Sequence, residues 1–161
     1  MLKAILFDLD DTLIDWSGFG RQWESRERKL LSGVFDYIGR EVHPLDKFER
    51  LVDNFGLASR TAWENGRSSL RAPHIGKVLV EALATTGVPL DLLDEKRCLE
   101  AYGWDAAPGV VVFPDVPPAL TLFREKGIKI GIVTNAYQPM WLRDRELATF
   151  GLLEFFPDCR I

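Results

Sequence analysis

Residues 2–12 read LKAILFDLDDT, and this stretch decides the fold. Leu2 through Leu9 form a short apolar run that ends in acids. A run of that length, closed by charged residues, reads as a buried strand rather than a helix. Asp8, Asp10 and Asp11 then crowd its carboxyl end, which in an open α/β sheet is where ligands sit. Successive strand side chains point to opposite faces, but where the strand breaks into a turn, Asp8 and Asp10 can face one pocket. Clustered carboxylates repel and cost solvation, so the cluster implies a bound cation or a shared proton. The plainer alternatives are a solvated turn or a helix cap. A calcium-binding EF-hand loop fails, because Leu13 stands where that loop needs Gly and Phe19 where it needs the bidentate Glu.

Outward from this strand the period changes. Leu30, Leu31, Val34, Phe35 and Ile38 mark one face of an amphipathic helix, which Glu24 and Arg28 support as an i,i+4 pair. Ile75, Val78, Leu79, Ala82 and Leu83 mark a second helix that stops near Gly87 and Pro89. Leu92, Leu99 and Tyr102 form a weaker third stripe, and residues 44–70 read as one or two shorter helices with loops. After Pro108 and Gly109 the strand–helix alternation returns. Asp115 is placed to cap a helix opening at Pro117 and Pro118 and closing at Gly127. Residues 127–136, GIKIGIVTNA, are a strong buried strand. Pro139 opens another helix, with Trp141, Leu142 and Leu147 as apolar positions, ending near Gly151. Residues 155–161, FFPDCRI, approach one more strand. The expected organisation is an α/β parallel-sheet core over 1–15 and 106–161, interrupted by an all-helical insertion over 16–105. A doubly wound sheet ordinarily has about five or more strands, so the core is expected to be incomplete within these 161 residues. That would leave an unpaired sheet edge open to self-association.

The segment FDLDDTLID (7–15) after an N-terminal strand, with GIVTN ending a later strand, resembles the haloacid dehalogenase superfamily of phosphatases and related hydrolases. The resemblance implies a Rossmann-like core with a helical cap inserted after the first motif. It implies that Asp8 is the nucleophile, forming an aspartyl-phosphate, and that Asp10 is the general acid and then base. Thr134 would bind the phosphoryl oxygens, with Asn135 beside it at the pocket rim. Mg²⁺ would be held by the Asp8 carboxylate and the Asp10 backbone carbonyl. An acid at position 10 weakens the likeness to dehalogenases proper, so a small phosphate ester is the expected substrate. The family's third and fourth motifs, a Lys and an acidic pair, lie downstream of the matched region. The alternatives are a non-catalytic binding or regulatory module, or a phosphonatase, phosphomutase or dehalogenase of the same fold. A phospho-accepting receiver domain also places acids at a strand end, but the long helical insertion speaks against it.

With 20 Lys and Arg against 24 Asp and Glu, the net charge of -4 carries no basic footprint for nucleic acid. No apolar run reaches the ~18–20 residues of a membrane span, and the N-terminus does not form a signal peptide. Cys98 and Cys159 imply no disulfide framework. A cytoplasmic protein is the expectation. Most of the five tryptophans are expected in the core or between core and insertion, with Trp16 and Trp23 nearest the substrate side. The arginines of the insertion read as a solvated face, and nothing nominates His43 or His74 as catalytic. Phosphate-loop, serine-hydrolase, zincin and dinucleotide-binding motifs do not occur.

Overall fold

Residues 2–20 and 22–160 are described by a computed structural model. In chain order the elements are β1 (Ala4–Phe7), β2 (Ile14–Asp15), α1 (Trp23–Glu41), α2 (Phe48–Ser69), α3 (Ile75–Thr86), α4 (Glu95–Tyr102), β3 (Val111–Val112), α5 (Val116–Glu125), β4 (Lys129–Ile132) and α6 (Met140–Thr149). They divide into an α/β unit, built from residues 1–21, 105–136 and 140–161, and a helical unit of residues 22–104 and 137–139.

In the α/β unit, β1 and β4 run parallel, in register from Ala4 opposite Lys129 to Phe7 opposite Ile132. The approach of the chain at its far end adds a third parallel position, because Ile132 bridges Arg160 and its N–H donates to the Cys159 carbonyl. Gly131 is required here: a Cβ would sit 2.8 Å from Cys159 Sγ and 2.9 Å from the Leu6 side chain. Among the described residues β1 has only β4 as a hydrogen-bonded neighbour, so its other edge is bare, with Leu2 and Leu6 exposed beside it. The core gathers Leu9, Leu13, Ile14, Phe19, Leu120, Ile132, Leu147, Leu152 and Phe156. A two-residue antiparallel ribbon of β2 and β3, invisible to periodicity at that length, pairs Ile14 with Val112 and Asp15 with Val111.

Asp115 does occupy the N-cap position of α5, but its side chain makes no capping bond. The reason is chemical: residues 117 and 118 are prolines and lack the N–H groups a cap would accept. Gly127 closes this segment with a φ of 66°, a conformation that costs glycine nothing.

In the helical unit, residues 48–69 form a single helix of 22 residues, longer than the one or two shorter helices with loops expected over 44–70. Leu51, Phe55 and Ala58 form its buried stripe. The chain turns back only at Leu70, which takes a left-handed φ of 55°. Gly66 makes room for that return, since a Cβ there would lie 2.7 Å from the Arg71 carbonyl. Arg28 of α1 forks onto both carboxylate oxygens of Glu49 on α2. Asn54 Nδ2 donates to Thr86 Oγ1 between α2 and α3. α1 and α4 approach closely at Gly33, facing the Ala101 carbonyl. The two ends of the unit also meet, with the Arg26 guanidinium 4.8 Å from the Trp104 ring centre. Trp104 is buried as expected, whereas Trp23, Trp63 and Trp141 are substantially exposed, contrary to a core role for most tryptophans.

Candidate functional site

The site grows from how β1 ends. The Leu9 carbonyl accepts from the N–H groups of Thr12, Leu13 and Ile14, so the chain curls into a tight turn directly after Asp8. Asp11 adopts a φ of 57° to make it, which short polar side chains tolerate better than most. Leu9 and Leu13 anchor the turn in the core, leaving Asp8 and Asp11 exposed and Asp10 half-buried. Beside it, the Val133 N–H donates to the Phe7 carbonyl at 2.9 Å, which aligns the carboxyl ends of β1 and β4 and delivers Thr134 to the same place.

Asp8 and Asp10 differ in their surroundings. One Asp8 oxygen, Oδ1, accepts the Leu9 N–H at 2.8 Å. Asp10 is held on all sides: Oδ1 accepts Trp16 Nε1 at 2.9 Å, Oδ2 accepts the Thr134 hydroxyl at 3.4 Å, and Arg143 Nη2 lies 2.8 Å from both oxygens. Thr134 therefore joins Asp10, and Trp16 reaches the site through its indole N–H. Asn135 follows Thr134 on an exposed stretch and makes no hydrogen bond to either aspartate among the described residues.

Arg143 is the residue that the sequence reading passed over. It sits on α6 with a side chain only 3% exposed, and its Nη1 pairs with Glu146 Oε2 at 2.7 Å, one turn further on, where the carboxylate is fully buried. The signal lay in the helix pattern. Leu142 and Leu147 define the buried stripe, and Arg143 and Glu146 fall on the same stripe. Two opposite charges at i,i+3 on an apolar face are a buried pair in waiting.

Mg²⁺ is the cofactor the motif implies. No cluster of three or more His, Cys, Asp or Glu side chains able to hold a metal occurs among the described residues. The oxygen donors that are present suit a hard cation that keeps several waters. Asp8 Oδ2 takes no part in the turn, and the Asp10 carbonyl accepts no main-chain hydrogen bond among the described residues. These two atoms would hold it.

The sequence matches the haloacid dehalogenase-like hydrolases over residues 2–161. The chain belongs to that family, and its parallel sheet and motif-bearing strand ends are the family's Rossmann-like fold. No curated protein matches it. Similar solved structures include an L-2-haloacid dehalogenase from Xanthobacter autotrophicus, at 22% identity and a TM-score of 0.44, covering 100% of this chain and 56% of that one. A HAD phosphatase from Thermococcus onnurineus is 23% identical with a TM-score of 0.44, covering 99% and 61%. A predicted phosphoglycolate phosphatase from Haemophilus somnus is 16% identical with a TM-score of 0.44, covering 99% and 62%. The chain thus spans less than two thirds of the length of these structures. No helix among the described residues is long and apolar enough to cross a membrane.

Proposed function

We propose that the protein is a Mg²⁺-dependent phosphohydrolase acting on a small phosphorylated metabolite through an aspartyl-phosphate on Asp8. The observation that carries this is the pairing at the end of β1 of an exposed carboxylate, Asp8, with a tethered one, Asp10, two residues on. Nucleophilic attack needs a carboxylate that substrate can reach, and Asp8 is exposed. Acid and base work needs a carboxyl group held at fixed reach from the leaving oxygen, and Asp10 is so held. In the first step Asp8 Oδ attacks phosphorus while Asp10 gives its proton to the departing alkoxide. In the second, Asp10 takes a proton from the water that cleaves the acyl phosphate and releases inorganic phosphate. Thr134 donates its hydroxyl to a phosphoryl oxygen. Mg²⁺, when bound, offsets the repulsion between an anionic phosphate and two carboxylates. The acid at position 10 favours an alkoxide leaving group, which needs a proton, over a halide, which does not. The helical insertion, expected over 16–105 and forming a compact unit over residues 22–104, would serve as the cap, with the core spanning 1–15 and 106–161.

The test uses the protein expressed from its natural reading frame. Asp8→Asn is expected to abolish Mg²⁺-dependent release of phosphate from p-nitrophenyl phosphate, and Asp10→Asn to slow it about 10²–10⁴-fold. Activity retained in Asp8→Asn would overturn the assignment. Halide release from a 2-haloacid by the unsubstituted protein, with no phosphatase activity, would move it to the dehalogenase branch.

A further inference from the structure

The proposed chemistry uses Asp8, Asp10 and Thr134, and gives no task to the charged pair buried beneath them. We propose that Arg143 is a positioning residue for Asp10, and that Glu146 positions Arg143; the inference rests on the phosphohydrolase reading above. Nη2 of Arg143 lies 2.8 Å from each oxygen of Asp10, which restrains the carboxyl group against swing, while Trp16 on Oδ1 and Thr134 on Oδ2 oppose its rotation. Nη1 is held by Glu146 Oε2 at 2.7 Å, so turning the guanidinium away would break an ion pair to a fully buried carboxylate. Glu146 and Arg143 share one helix face, and α6 is anchored in the core by Leu147. Asp10 is thereby tied to a helix as well as to its own turn.

Packing alone does not call for such a pair. Two ions taken out of water lose much of their mutual attraction to desolvation, and apolar residues of similar volume fill such a site equally well. The chemistry of the fork does call for it. Arg keeps its charge at any working pH and presents paired donors in one plane, so it spans two carboxylates where Lys offers a point charge. It moves no proton and, with its side chain 3% exposed, it is spent on Asp10 and Glu146 rather than on substrate. Asp10 needs the restraint, because its side chain is 40% exposed and its other side-chain partners among the described residues are the Trp16 indole and a long contact to Thr134.

The decisive variant is the double substitution Arg143→Met with Glu146→Leu, which removes both charges together and keeps the volume. It is expected to match or exceed the thermal midpoint of the unsubstituted protein. Its kcat for p-nitrophenyl phosphate is expected to fall about a hundredfold, the usual result of a catalytic group misplaced by about 1 Å, with KM unchanged. A second readout needs no turnover. The Trp16 indole N–H donates to Asp10, so its NMR resonance, assigned through Trp16→Phe, is expected to move in the double variant. Arg143→Lys keeps the charge without the fork and is expected to restore part of kcat. A folded double variant with kcat intact and the indole resonance unmoved overturns the proposal, as does a change confined to KM. If the double variant does not fold, Arg143→Lys decides: kcat and resonance both unchanged overturn it, both changed support it. An unsubstituted protein with no phosphatase activity would instead refute the reaction, leaving the indole resonance to judge the positioning.

Discussion

Two glycines on one helix should answer the same substitution with opposite signs. Gly33 and Gly39 both lie within α1. Replacing an exposed helical glycine by alanine removes a backbone-entropy penalty of about 0.5–1 kcal/mol. At Gly39 nothing lies within 4 Å of the added Cβ, so Gly39→Ala is expected to realise that gain. At Gly33 the Cβ would stand 2.5 Å from the Ala101 carbonyl oxygen, at least 0.5 Å inside the 3.0 Å that real Cβ atoms respect. The obstacle is backbone of α4, not the tip of a flexible side chain, so a helix must shift. Overpacking of that kind costs about 1–3 kcal/mol and outweighs the entropic gain, leaving Gly33→Ala destabilised by roughly 1–2 kcal/mol. Urea titration followed by helical circular dichroism reads both. With a slope of about 1–3 kcal/mol/M, the two midpoints should diverge by about 1 M, on either side of the unsubstituted protein. A Gly33→Ala midpoint equal to that of Gly39→Ala would refute the close approach of α1 and α4.

Two further expectations concern the helical unit. Burial, and secondarily Glu24, raises the Glu27 carboxyl above its ordinary value of 4.5. Between 4.5 and that raised value the folded state binds more protons than the unfolded, so stability falls as pH rises through the window. Glu27→Gln should therefore raise the urea midpoint at pH 7 and lose the advantage near pH 3.5; an equal effect at both pH values would contradict this. Burial, with Asp94 and Glu95 adding to it, pushes the Cys98 thiol up to about 11. At pH 8 its thiolate fraction is then about one in a thousand. Native protein should yield only Cys159 to Ellman's reagent, and rapid labelling of two thiols would show that α4 opens.

The fold was legible wherever a period ran long enough. The apolar stripe of α1, the ending of α3 at Gly87 and the strand before Thr134 all follow from spacing and punctuation. β2 and β3 were not legible, because two residues carry no period and their pairing joins segments nearly a hundred residues apart. α2 was expected to be shorter, and tertiary burial of Leu51 and Phe55 holds it as one helix of 22 residues. At the candidate site, Asp8 and Asp10 stood out as carboxylates clustered at a strand end, whereas Thr134 was singled out only through the family resemblance. Arg143 did not, since its meaning depends on Asp10, a residue 133 positions away. A charge on a helix reads as surface until the structure shows what lies above it.

The meeting of Arg26 with Trp104 bears on how the chain reaches this fold. Phe7 and Ile132 pair across about 125 intervening residues, a long loop whose closure entropy must be met before any sheet contact rewards it. The helical unit brings its own two ends together, since α1 packs against α4 and Arg26 meets Trp104. What remains to be closed is then about 47 residues, a saving of roughly 1 kcal/mol at about 0.6 kcal/mol per doubling of loop length. The β2–β3 ribbon takes up the chain where it leaves and re-enters the α/β unit, and shortens the span again. The insertion would thus act as a folding clamp for the strands that carry the aspartates. Circular permutants that open it should slow sheet formation more than they weaken it.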